Sequence, residues 1–384
     1  MSADNLLATD STPKPPYTVR EAITSKDNPR IAIIRTSDRS MFKRCRRKWD
    51  FESAIRKNLA PIDRPSYFWI GTGGHFAMED FHGHNYYGDP VKAFIAYCDA
   101  CVLAGDKHRI QVPDDFEYQK DLGIGVIRHY TNWLRNRDPF ETVWMPNAQG
   151  VSEPCVEVKC RIPLPIEHPD FDEIYYQMTL DRLVVRDGEY WILDWKFFKQ
   201  FSATPLEFNG QMSAYIWGSH AMWDVPIAGA VYHEFLKKIP EPARILKNGT
   251  ISTAKNQATS HIIYRDALEA MYGDPNKAPS DNILCLNWLA DQEDEHRDKF
   301  CKRTFTTRNQ AQLESEGERI LMEVSEMLDS NLPLYTNPTR DCGWDCQFRE
   351  ACLMMDRDDD WESFIAATSI SRAEESEEWR RYLK

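Results

Sequence analysis

The stretch LDRLVVRDGEYWILDWKFFKQ, residues 180–200, constrains the chain more than any other. Asp187-Gly188 between two β-rich arms is a hairpin signal, because a type I′ turn needs positive φ at both central positions. That turn sets Arg186 against Glu189, and counting outward sets Asp181 directly across from Asp194. Opposed residues hold their Cβ atoms roughly 4.5–5.5 Å apart on one face of a sheet. Lys196, two residues past Asp194, returns to the same face. Two carboxylates so close repel each other unless a cation stands between them. The hairpin alone leaves two readings open. Either Lys196 neutralises the pair as a structural ion network, or a hard divalent cation such as Mg²⁺ sits on the carboxylates and keeps some of its waters.

Composition bounds the rest. A chain of 384 residues can bury a large core, in one elaborated domain or two smaller ones. No apolar run reaches membrane-spanning length and no signal-like hydrophobic segment opens the chain, so a cytoplasmic protein with no membrane partner is expected. Ten cysteines without a secretory signal argue against a disulfide scaffold and leave metal ligation or buried thiols. A net charge of −13 argues against a general polyanion binder, so any nucleic-acid contact has to be local. One local patch exists, RTSDRSMFKRCRRKWDF at 35–51. Its Arg39, Lys43, Arg44, Arg46 and Arg47 are candidate phosphate contacts, and its aromatic side reads as core packing.

Residues 1–30 are polar and proline-bearing and read as a mobile arm, 31–355 as the main domain, and 356–384 as a charged tail. Helical patterns fall near 38–57, 72–84, 90–104 and 115–136, and strand patterns near 152–163, 174–186 and 189–198. A helix over 207–223, a strand over 228–238, and helices near 253–272 and 307–330 follow. The order predicts an α/β fold, in which a helical preface leads to a three-strand antiparallel meander, a helical crossover and a further strand.

Four motifs in this order resemble a known family. LDRLVV and ILDWK resemble the second and third motifs of PD-(D/E)XK nucleases, in which a metal-binding Asp precedes a (D/E)-x-K tripeptide. IGTGGHFAMEDFHG (70–83) is similar to the glycine-rich, histidine-bearing helix of the RecB-like branch, and GQMSAYIWG (210–218) to its Q-x-x-x-Y helix. The resemblance implies a mixed central sheet flanked by helices. It also implies a Mg²⁺ or Mn²⁺ site built from His75, Asp181, Asp194 and the Trp195 carbonyl, with Lys196, Gln211 and Tyr215 completing the catalytic set. Two positions depart from the family pattern: Met178 stands where many relatives have glycine, and Phe197 where threonine often follows the lysine. Neither removes a ligand.

The cysteines extend the likeness. Cys342, Cys346 and Cys352 crowd into DCGWDCQFREAC, while Cys45 lies far upstream in the basic patch. One early and three late cysteines resemble the layout around a 4Fe-4S cluster in RecB-like exonucleases of the CRISPR-associated and helicase–nuclease types. Spacing does not choose the metal, and zinc remains the alternative with the same ligand number. The three residues between Cys342 and Cys346 resemble bacteriophage-encoded relatives, whose location would be the host cytoplasm. Such a cluster would staple the first helical segment to the C-terminal run. Taken together, the resemblance implies a metal-dependent DNA exonuclease acting on single strands or frayed ends, alongside recombination or replication proteins. The alternatives are a non-catalytic iron–sulfur scaffold of a recombination or packaging complex and a structure-specific endonuclease.

Overall fold

The computed structural model describes residues 30–371 and Leu383, except 63–67, 109–111, 135–137, 148–149, 203–204, 224 and 345. The expected N-terminal arm up to residue 29, and the end of the charged tail apart from Leu383, lie outside the described residues.

The chain opens with a strand, Ile31–Arg35 (β1), and two short helices, Thr36–Arg44 (α1) and Arg46–Glu52 (α2). The pattern over 38–57 predicts one helix. Instead Cys45 adopts extended backbone at φ −164° and ψ 116°, which ends the first helix and caps the second. After Leu59–Pro61 (β2) come three helices, Phe68–Gly83 (α3), Pro90–His108 (α4) and Phe116–Leu134 (α5). Next are Glu141–Thr142 (β3), Trp144–Pro146 (β4), Ser152–Pro154 (β5), Val156–Pro163 (β6), Glu173–Arg186 (β7) and Glu189–Phe198 (β8). Gly210–Met222 (α6) crosses to Ile227–Leu236 (β9). The chain continues through His261–Tyr272 (α7), Ser280–Ala290 (α8), Cys301–Thr306 (β10) and Gln310–Leu328 (α9). It ends in Arg349–Asp356 (α10), Trp361–Thr368 (α11) and Ser369–Ser371 (β11).

The expected meander is β6–β7–β8, with β9 parallel to β8 through the α6 crossover and β10 antiparallel beyond it. The architecture is therefore mixed α/β. β7 is the hub. Its residues 175–177 pair with both β1 and β6, and Arg182 pairs with both β6 and β8. A strand has two edges, so β6 runs along one while β1 and β8 share the other. β1 and β10 escape the sequence pattern because each gains its strand geometry from a partner far away in the chain.

One face of the sheet carries a core with Phe42 of α1, Met212 and Ile216 of α6, and Ile320 and Val324 of α9. The other face packs Ala77 and Met78 of α3, Phe94 of α4 and Val126 of α5 against Leu193, Trp195 and Val231. A satellite cluster joins α7 to α8, and another joins Phe51 to Phe348, Ala351 and Ile365. Among the described residues, no helix is long and apolar enough to cross a membrane.

Candidate active site

The hairpin turn forms as its residues dictate, with Asp187 at φ 52°, Gly188 at φ 82°, and Arg186 paired to Glu189. The β7–β8 ladder then runs only as far as Arg182 and Leu193. β1 stops pairing at Gln177, so neither strand pairs with residues 178–181 of that edge. The direct opposition of Asp181 and Asp194 expected from register is thus replaced by a fork. Within it the Asp181 Oδ2 accepts the backbone N–H of Trp195 at 2.6 Å. A side chain takes the place of a ladder carbonyl, which turns the two acidic residues into the gap.

Lys196 Nζ lies 2.6 Å from each Asp194 oxygen and 3.4 Å from the Trp195 carbonyl. Oδ1 accepts the well-directed hydrogen bond, and the buried Oδ2 meets the ammonium only as an ion pair. On the other side α3 delivers His75, whose Nδ1 lies 2.9 Å from Glu157 Oε1 and 3.5 Å from Asp181 Oδ1. Donor atoms of His75, Glu157 and Asp181 all fall within 4.8 Å of one another.

Glu157 is the residue that sequence reasoning missed. On β6 it shares the polar alternation of Lys159 and Arg161, which reads as a solvent face. In the fold it adopts φ 50°, a left-handed conformation costly for a side chain, and its neighbours pair with Arg182 and Leu180 on either side of Asp181. No signal in the sequence marks it, because the connection over 164–172 leaves the β6–β7 register undetermined.

The electrostatics favour a cation. Burial pushes the Asp194 carboxyl up to about 6; Lys196 opposes this, and Asp181 adds to it. Burial likewise raises Asp181, against His75 and Lys196. For His75, burial alone would lower the pKa, but Asp181 and Glu157 lift it to about 9. Burial would also lower Lys196, but Asp194 and Asp181 overcome it and hold the ammonium charged. Two destabilised carboxylates, a further carboxylate and an imidazole make a nitrogen-and-oxygen donor set that fits Mg²⁺ or Mn²⁺.

The surrounding residues explain the family departures. A Cβ on Gly74 would lie 2.4 Å from the Phe197 ring, so that glycine lets the aromatic after the lysine pack under α3 against Phe235. Met178 fills the space that Gly218 of α6 leaves, 2.6 Å from where a Cβ would stand. Gln211 and Tyr215 meet on α6, the amide donating to the phenol at 2.7 Å, and Asp194 and Asp181 add to the burial that raises the Tyr215 pKa. His82 is fully buried, stacked on Trp195 at 5.4 Å, with Nε2 3.0 Å from the Tyr130 hydroxyl.

The basic patch divides. Arg39 is 3 % exposed and faces Glu316 at 2.9 Å and Glu323 at 2.6 Å, so its guanidinium is turned to the chain's own carboxylates. Arg46 pairs with Glu326 between the rings of Phe42 and Tyr335. Arg47 lies 3.4 Å from Asp356, and Arg44 3.4 Å from Asp341. Lys43 stays half-exposed, 3.3 Å from Glu323.

A second chemical centre lies at the chain ends. Cys45, Cys342, Cys346 and Cys352 line one cavity of ≈150 Å³, with Lys48, Arg44 and Arg349 in its walls. Thr339 donates its N–H to the Cys342 sulfur at 3.4 Å, and Asn337 ties this segment to the Arg44 carbonyl at 2.9 Å. Four thiols around one cavity beside cations form a donor set that a four-cysteine metal group fits. A further donor group, His129, Asp298 and Cys301, is wholly buried. There Asp298 is already engaged, by His129 at 2.5 Å and by the N–H groups of Phe300 and Cys301 at 2.6 Å each.

A family model described as PD-(D/E)XK nuclease superfamily matches residues 37–353. A search of curated proteins finds no match.

Proposed function

The chain belongs to the PD-(D/E)XK nuclease superfamily, a family of metal-dependent nucleases, and on that premise we propose that it is a DNA exonuclease acting on single strands or frayed ends. The observation that carries catalytic competence is the buried Asp194, with both oxygens 2.6 Å from the Lys196 ammonium, beside Asp181 and His75. A scaffold that performs no chemistry gains nothing from this arrangement of costly charges.

His75, Glu157, Asp181, Asp194 and the Trp195 carbonyl would hold the cation. Bound Mg²⁺ or Mn²⁺ supplies Lewis acidity at the phosphodiester and lowers the pKa of water. The chain's own residues do the rest. Lys196, kept charged by Asp194 and Asp181, offers a fixed ammonium to the negative charge that grows on the phosphate in the transition state, and it orients the attacking water. Its raised pKa makes it no base. The Trp195 N–H holds Asp181 in place, and Gln211 and Tyr215 brace one another beside the carboxylates.

At the cysteine-lined cavity we favour a 4Fe-4S cluster over zinc, on the resemblance to RecB-like and phage-encoded exonucleases. Its role would be structural, joining the α1–α2 break to the run from Cys342 to Cys352 in α10. The nuclease domain would then span 31–355, with recombination or replication proteins as partners.

The test is degradation of end-labelled single-stranded DNA with Mn²⁺ or Mg²⁺, using protein purified without oxygen so that the cysteine site stays loaded. Wild type should shorten the strand from an end, and Asp194→Ala and Lys196→Ala should each lose about 10²–10³-fold or more. Cleavage of circular or branched DNA without dependence on ends would assign an endonuclease. No cleavage by folded, loaded wild type on any of these would leave a scaffold.

A further inference from the structure

Phe208 is 86 % exposed, an expensive placement for a phenyl ring, and it is held there firmly. It ends a single 3₁₀ turn, Leu206–Phe208, whose Leu206 is buried in the sheet core. Arg308 braces the turn from beneath. Its Nη2 donates to the Leu206 carbonyl at 2.7 Å and to the Asn209 carbonyl at 3.3 Å, while its Nε donates to Ser213 at 2.7 Å. A ring displayed on a braced turn is pre-organised to meet something flat.

Its position names the partner. Phe208 stands two residues before α6, separated from it by the extended N-cap Asn209, and the first turns of α6 carry the Gln211–Tyr215 pair beside the sheet core. Beside the turn stands a cation: Lys43 Nζ is 4.0 Å from where a Gly210 side chain would begin. Lys43 shares Glu323 with the buried Arg39, which is closer at 2.6 Å against 3.3 Å. Arg319 adds a further cation to Glu316. Lys43 is the half-exposed member of this network, and its contact to Glu323 is the longer one.

We propose that Phe208 and Lys43 form the landing for the substrate strand, the ring stacking on an unpaired base and the ammonium taking an adjoining phosphate. This rests on the nuclease reading of the fork and adds a substrate requirement to it. A base inside a duplex cannot offer its face, so the landing selects single strands or frayed ends, whatever their sequence.

The experiment measures binding and cleavage separately. Phe208→Ala, Phe208→Trp and Lys43→Gln are compared with wild type on oligo-dT and on an abasic deoxyribose-phosphate strand of the same length. Anisotropy in Ca²⁺ reads binding, and initial rates in Mn²⁺ read KM and kcat. Phe208→Ala should weaken oligo-dT binding and raise KM about tenfold with kcat little changed, and should leave binding of the abasic strand as in wild type. Phe208→Trp should restore oligo-dT binding. Lys43→Gln should weaken both strands and reduce the salt slope by about 0.7. Equal losses on both strands for Phe208→Ala, or wild-type KM for it on oligo-dT, would overturn the proposal while leaving the nuclease intact. Phe208-dependent binding without cleavage would instead sustain the landing and remove the nuclease reading.

Discussion

Consecutive residues of β7, Asp181 and Arg182, enter two buried charge centres that the fold has neutralised to different degrees. Arg182 reaches Asp138 at 3.1 Å, Thr142 at 2.9 Å and the Tyr86 hydroxyl at 3.1 Å, and Arg303 meets the same aspartate at 3.1 Å. Tyr86 completes the Asp138 shell at 2.6 Å. Around Asp181, by contrast, three carboxylates share one imidazole and one ammonium. The first centre sets two guanidiniums on one carboxylate, the second three carboxylates on two cationic groups, so the excess charge has opposite sign at neighbouring positions of one strand.

The sharpest way to break this comparison is Arg182→Ala. Removing the fully buried Arg182 from the Asp138 centre should cost about 3–5 kcal/mol of stability in urea unfolding. A loss below about 1 kcal/mol would mean that Asp138 is not held as described.

A smaller effect separates the two centres by pH. Burial, with Arg182 and Arg303 adding to it, drives the His82 and His233 pKa values well below the ordinary range. The unfolded chain then takes up protons below about 6.5 that the folded chain refuses, so these residues destabilise the fold as pH falls. Asp194, raised to about 6, works in the opposite direction, since the folded state protonates first. His75, raised to about 9, also works in that direction in both proteins, so the comparison reads the difference: in EDTA, wild type should lose about 1 kcal/mol less stability than Asp194→Asn between pH 7 and 5.5. Parallel profiles for the two proteins would show that Asp194 is not strained toward protonation.

The smallest stability change is expected at Glu157→Gly. Relief of the left-handed backbone should offset the lost contact with His75, leaving stability within about 1 kcal/mol of wild type. Mn²⁺ affinity, followed by calorimetry, should nevertheless fall about tenfold or more if Glu157 belongs to the donor set. Unchanged affinity would confine the site to His75, Asp181 and Asp194.

The hairpin, the α/β order and the Asp194–Lys196 contact were legible because turn chemistry and side-chain alternation act between near neighbours. The fork was not, since Asp181 bonds the Trp195 N–H where simple register would place the two acids in opposition. The basic patch shows the same boundary. Its charges are plain in the sequence, but Arg39 turns inward to meet Glu316 and Glu323 on α9.

The sequence by itself determined a meander with two acids and a lysine on its last two strands, a histidine on a glycine-rich helix, and four cysteines at the two ends of the main domain. Only the tertiary structure decided that β7 and β8 part at Asp181, that Glu157 turns toward His75, and that the four cysteines line one cavity. The physical reason is range. Periodicity and turns are set over a few residues, whereas these placements depend on strand register and packing between segments up to about three hundred residues apart, which the chain acquires only once the core has formed.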